Sequence, residues 1–147
     1  MSPRNTNTGG VLETMVIPAL KRGGYSIQKQ VHVGIRLGKP TNNGKTGKHK
    51  IDAIAQKDEK SFLISAKWQQ SGGTAEEKVP YEVMCLAEAL QDNPGIYLKA
   101  YVVLGGDGWT LRDFYTSTGF HEYMNNTAAV QVVKLERFIA LANNGEL

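Results

Sequence analysis

One cysteine, Cys85, serves all 147 residues of the chain. No intramolecular disulfide framework is possible, and the composition suits a reducing compartment. No stretch approaches the ~20 successive apolar residues that span a bilayer. The opening MSPRNTNTGG lacks the apolar core of a secretory leader. These absences predict a cytoplasmic protein with no membrane partner. No pair of cysteines exists and His32, His49 and His121 are scattered without ligand spacing, which argues against a structural zinc site. No G-x-S-x-G is present, so serine-hydrolase chemistry has no support. Acids are missing from one segment: Arg36, Lys39, Lys45, Lys48 and Lys50 follow Gly34 with no Asp or Glu among them. Such a run suits contact with phosphate, and it equally suits a solvated loop. The GKT inside it is not a phosphate loop, because Gly38 and Gly44 are six apart where five are needed, and a strand follows.

What is present reads as one α/β domain over residues 1–147, with 1–10 as a flexible arm. Hydrophobic residues make up 41% of the chain and the net charge is +3. Val11, Leu12, Met15, Val16, Ala19 and Leu20 recur at helical spacing and predict a helix over 11–22, interrupted at Pro18 and ended by Gly23-Gly24. Residues 25–33 alternate as a strand. Residues 51–55 and 62–66 flank the polar turn Lys57-Asp58-Glu59-Lys60 as a β-hairpin. Thr74 to Glu77 has capping-box spacing, but Pro80 predicts a turn over 74–79 and a helix beginning near Pro80. That helix is apolar nearly all round, which predicts burial on two sides, by the sheet and by a partner subunit. Glu82 lies among its apolar positions and needs a partner, which makes it a minor candidate for an acidic role. Residues 98–104 lack alternation, as a central strand does. Residues 109–123 are helical in part, broken at Gly119, before a strand over 128–133 and a final helix ending at Asn144-Gly145. The order is αβββαβ, then α, β and α.

The hairpin brings Asp52 and Lys67 together at one end. An acid beside a lysine there can hold a divalent cation and position water for attack on phosphate. A surface ion pair is the plainer alternative. Period-two alternation places Ser65 and Gln69 on the face of Lys67. Glu13 falls at the edge of the apolar face of the first helix, from where it can reach the end of a neighbouring sheet.

Asp52 followed by Ser65-Ala66-Lys67, with an acid-bearing helix before and a second helix after, resembles the PD-(D/E)XK nuclease superfamily. That group includes restriction endonucleases, Holliday-junction resolvases and some phage and cyanobacterial homing endonucleases. The resemblance covers roughly residues 10 to 105 and is closest over 52–83. It implies a restriction-endonuclease-like core, a mixed central sheet flanked by helices with C-terminal additions. It also implies Mg2+, replaceable by Mn2+, held by Asp52, the Ala66 carbonyl and Glu13, with Lys67 activating water. The superfamily pattern has Asp or Glu where this chain has Ser65. Glu13 is therefore expected to carry more of the metal binding, or Gln69 to help through its amide oxygen. Arg36, Lys45, Lys48, Lys50 and Lys78 are the expected DNA contacts. The implied activity is a metal-dependent endonuclease on double-stranded or branched DNA, restriction-like or homing-type, with junction resolution as the alternative. Cutting both strands needs a homodimer or larger assembly, and the setting is a bacterial or phage-infected cell. A catalytically silent nuclease fold that binds DNA or a protein partner is the rival reading, favoured by Ser65.

Overall fold

The computed structural model describes residues 8–34, 48–73 and 75–147. Arg36, Lys39, Lys45 and most of the 1–10 arm lie outside the described residues.

The central hairpin consists of β2 (His49–Lys57) and β3 (Lys60–Trp68), closed by Asp58-Glu59. Both turn residues are left-handed, with φ of 52° and 65°. A two-residue turn with positive φ at both positions matches the right-handed twist of the strands it joins. β1 (Ser26–Val33) pairs antiparallel with β2, while β4 (Lys99–Gly105) and β5 (Val130–Lys134) extend the sheet in parallel beyond β3. The strand order is β1-β2-β3-β4-β5. β4 is buried along nearly its whole length, which explains its lack of alternation.

The interruption expected at Pro18 lies just ahead of it, as a π turn, and does not end the helical segment. That segment runs as α1 (Thr8–Val11), a π-helical turn over Leu12–Val16, and α2 (Ile17–Arg22). The wide turn sends the Ile17 N–H to the Leu12 carbonyl. Pro18 then stands in the first turn of α2, where its missing N–H is least felt. With α5 (Leu135–Asn143), these helices cover one sheet face around Val16, Leu20, Phe62, Ile64, Tyr101 and Phe138.

The other face is covered by α3 (Ala75–Asp92), α4 (Arg112–Tyr115) and a 3-10 turn over Thr118–Tyr123. Here the expected turn over 74–79 is overturned: α3 begins at Ala75 and carries Pro80 inside it. A proline leaves the carbonyl four residues earlier without its helical donor. The Tyr115 hydroxyl donates to that carbonyl, on Glu76, at 2.9 Å. Tyr115→Phe should therefore lower stability by about 1 kcal/mol, or ~2–4 °C in a thermal melt. An unchanged melting temperature would show that water satisfies Glu76 equally well.

α3 buries Val79, Val83, Cys85, Leu86 and Ala89 but leaves Tyr81 and Met84 exposed at 42% and 41%. Within this chain its apolar character therefore buries one side only. The expected break at Gly119 falls instead at Thr116-Ser117. Their hydroxyls bond back to the carbonyls of Arg112 and Phe114, and Ser117 is extended, at φ −94° and ψ 166°.

Candidate active site

The ladder between β2 and β3 ends at Ala53↔Ile64, although both strands run on beyond it. On the opposite side of β2, Gln30 is left-handed at φ 58°, between the pairs Lys29↔Ala53 and Val31↔Ile51. Such a residue turns the chain over locally. Ile27 packs into the core under α2, whereas Val31 packs into the core under α3, although alternation alone would put both on one face. Ala53 and Ile51 divide in the same way. The sheet thus kinks and forks at Asp52.

Within the fork the Ala66 N–H donates to Asp52 Oδ2 at 2.7 Å. The N–H and C=O of one strand residue point the same way, so the Ala66 carbonyl also faces Asp52, past the last paired residues of β2 and β3. A cleft of about 340 Å³ opens there, lined by Lys50, Asp52, Ser65, Ala66, Lys67, Trp68 and Lys78.

A second carboxylate stands behind Lys67. Glu82 of α3 is only 3% exposed. Its Oε1 lies 3.2 Å from Lys67 Nζ and its Oε2 2.8 Å from His49 Nε2. Ser65 adds to the groups that favour its charged form. Burial works to raise Glu82, but His49, Lys67 and Ser65 hold it below the usual carboxylate range. Asp52 is shifted the other way: burial raises it and outweighs both the Ala66 N–H and the Lys67 charge. The Cys85 side chain and the hydrogen bond to Glu82 lift His49 to about 9, against the cost of burial. Glu82 is thus shared between His49 and Lys67, while Asp52 has the Ala66 N–H and the Lys67 charge to offset its burial.

The structure brings Asp52, Ala66 and Lys67 together and adds Glu82, but it does not add Glu13 or Gln69. Glu13 is 54% exposed at its side chain and forms an ion pair with Lys29 at 3.0 Å. The π turn carries it over β1 to Lys29, and it does not line the cleft at Asp52. Gln69 lies one residue beyond the end of β3, where alternation no longer fixes its side. Its amide donates to the Gly108 carbonyl at 2.7 Å and, at 3.4 Å, to Glu76. Its backbone pairs with Gly105 and Gly108. Gln69 therefore fastens the end of β3 to the loop after β4. Gly106, at φ 93°, belongs to the same junction, since a Cβ there would strike the Gln69 carbonyl. Lys50 and Lys78 reach the cleft, and Lys48 is exposed just before β2. Arg36 and Lys45 lie outside the described residues. The sequence signal for Glu82 is its place among Val79, Val83 and Leu86 on a buried helix, where an acid without a partner is costly.

The donors at the fork are oxygens, the Asp52 carboxylate and the Ala66 carbonyl, and behind them the Glu82 carboxylate reaches Lys67 with Oε1 and His49 with Oε2. That set fits a hard divalent cation such as magnesium, which retains several waters. Among the described residues no group of three or more His, Cys, Asp and Glu side chains encloses an ion site. Backbone oxygen and water would have to complete the shell.

No curated protein matches this chain in sequence. Among solved structures, the crystal structure of AF1548, a protein of unknown function, superposes with a TM-score of 0.50 at 12% identity, over 81% of this chain and 54% of that one. The chain thus spans about half the length of that protein. The small subunit R.BspD6I2 of the heterodimeric restriction endonuclease R.BspD6I superposes with a TM-score of 0.45 at 18% identity, over 99% of this chain and 73% of that one. The family model described as the PD-(D/E)XK nuclease superfamily domain matches residues 4–146. A match over almost the whole chain, on a mixed sheet that forks at Asp52, establishes that the protein belongs to the PD-(D/E)XK nuclease superfamily.

Proposed function

We propose that the protein is a divalent-metal-dependent endonuclease that hydrolyses phosphodiester bonds in double-stranded DNA. The observation that carries this reading is Asp52, fixed on the Ala66 N–H inside the strand fork, beside a lysine that Glu82 holds at 3.2 Å. A bound cation, Mg2+ or in its place Mn2+, would neutralise phosphate charge and acidify water. Asp52, the Ala66 carbonyl and Glu82 are the groups that would hold it. Lys67 donates to the attacking water or to a non-bridging phosphate oxygen, orienting attack and stabilising the charge that builds on phosphorus. Water oxygen bonds to phosphorus as the bond to the leaving sugar oxygen breaks. Ser65 cannot supply the missing acid; Glu82, whose charged form Ser65 helps to favour, stands in that role.

Lys50 and Lys78 on the cleft, with Lys48 beside it, contact flanking phosphates. Changing these three to Gln should weaken binding to all sequences alike and make the salt dependence shallower, by about 0.9 in log–log slope for each phosphate no longer neutralised. An unchanged slope in a filter-binding titration would mean that these lysines are merely solvated.

One domain offers one site, so cutting both strands takes a homodimer or larger assembly. A restriction-like or homing-type role in a bacterial or phage-infected cytoplasm comes first, and junction resolution second. The test is cleavage of supercoiled plasmid with Mg2+ against EDTA: nicked or linear product should form only with the metal. Serine at position 65 favours one other reading, a silenced nuclease that binds DNA without cutting it. Binding with no product in either Mg2+ or Mn2+ would decide for that reading.

A further inference from the structure

The proposed nuclease chemistry uses Asp52, Lys67 and Glu82, but it leaves unexplained a histidine buried against the last of these. His49 is 7% exposed and opens β2, three residues before Asp52. Its Nε2 meets Glu82 Oε2 at 2.8 Å. The Tyr81 ring packs edge-on against it, with centroids 6.4 Å apart, and β1 flanks it through the pair Val33↔His49. The imidazole therefore has little freedom to turn. Glu82 is the reverse case: a helical glutamate has three side-chain torsions, and only its partners fix where its oxygens point. Lys67 takes Oε1, but Lys67 is itself a long side chain at the cleft, 26% exposed. A flexible ammonium cannot orient a carboxylate by itself. The rigid contact is the one to His49.

We infer that His49 is a positioning residue: by holding Oε2 it turns Oε1 of Glu82 toward Lys67 and the strand fork, so that the acid replacing position 65 presents one oxygen to a divalent cation and to the lysine. This rests on the reading of Asp52 and Glu82 as cation-binding groups. Partners that orient ligating carboxylates typically contribute 10–100-fold to metal affinity.

The test is calorimetric titration of the full chain with Mn2+ alone, without DNA, and thermal melts run alongside. The variants are H49L, H49Q, E82Q and H49L/E82Q. Gln places a neutral N–H donor near the position of Nε2, whereas Leu keeps bulk and loses the donor. H49L should bind Mn2+ about tenfold more weakly than wild type, and H49Q should recover most of that loss. H49L/E82Q should bind no more weakly than E82Q, because His49 acts only through Glu82. The proposal is overturned if H49L binds Mn2+ as tightly as wild type or more tightly while E82Q is impaired. It is overturned also if H49Q is as weak as H49L although both melt like wild type, since the imidazolium charge and not the orientation would then matter. If E82Q itself binds as wild type does, the underlying reading of Glu82 falls and the inference with it.

Discussion

Asp52→Asn is expected to lose cleavage by a factor of about a thousand or more and yet to melt at a higher temperature than wild type in EDTA. The loss follows from removing the carboxylate that would hold the cation; stabilising developing phosphate charge is worth several kcal/mol, and each ~1.4 kcal/mol is tenfold in rate. The gain in stability follows from the direction of the Asp52 shift. Burial raises this carboxyl even though the Ala66 N–H and Lys67 favour the anion. A carboxylate whose folded value lies above its unfolded value weakens folding wherever it is ionised, so at neutral pH it destabilises the metal-free protein. Asn keeps an acceptor for the Ala66 N–H and removes the buried charge. Adding Mg2+ should raise the melting temperature of wild type and leave Asp52→Asn unmoved. An active variant, or one that melts lower in EDTA, would count against the assignment of Asp52.

Glu82→Gln should also depress cleavage, on the order of a hundredfold, but with the opposite effect on stability. Gln preserves shape and removes the anion that His49 and Lys67 share. Breaking one side of a buried ion pair costs about 3 kcal/mol, roughly 6–12 °C in melting temperature for a chain of this size. The pH dependence separates this from a simple packing defect. His49 is raised from 6.5 to about 9 by Cys85 and Glu82. A raised histidine contributes stability that is fully present below 6.5 and is lost as pH rises through about 9. The gap between wild type and Glu82→Gln should therefore be widest at and just below pH 6.5 and narrow as pH rises toward 9, by the share of the His49 shift that Glu82 supplies beside Cys85. A gap that stays constant across that range would remove the His49–Glu82 pair from the account. Glu13→Gln is the contrasting substitution. Its exposed pair with Lys29 contributes ~0–1 kcal/mol, and cleavage should stay within about twofold of wild type.

How much of the fold and the site is legible in the chain alone differs by element. The hairpin, the order of strands and helices and the closeness of Asp52 to Lys67 follow from patterns spanning a few residues: period two, period 3.6 and a polar turn. The start of α3 escapes such patterns for a local reason with a distant remedy. Pro80 weakens a helix as the sequence is read, and the donor that repairs it, Tyr115, comes 35 residues later. Gln69 departs from its expected face because period two holds only while the strand lasts, and β3 ends at Trp68.

The nearness of Asp52 to Lys67 was already written in the chain, because one hairpin register brings them to the same end of two adjoining strands. Which acid packs beside Lys67 depended on the folded chain. Glu13 and Glu82 lie on separate helices, and no spacing rule states which helix packs over the open end of the fork. Packing answers it: α3 lays Val83 and Leu86 into the core shared with Leu63 and Val102, which carries Glu82 onto Lys67 and His49. The π turn leaves Glu13 at the surface with Lys29. Contacts between segments far apart in the chain depend on the summed burial of both faces of the sheet, and that sum exists only once the chain has folded.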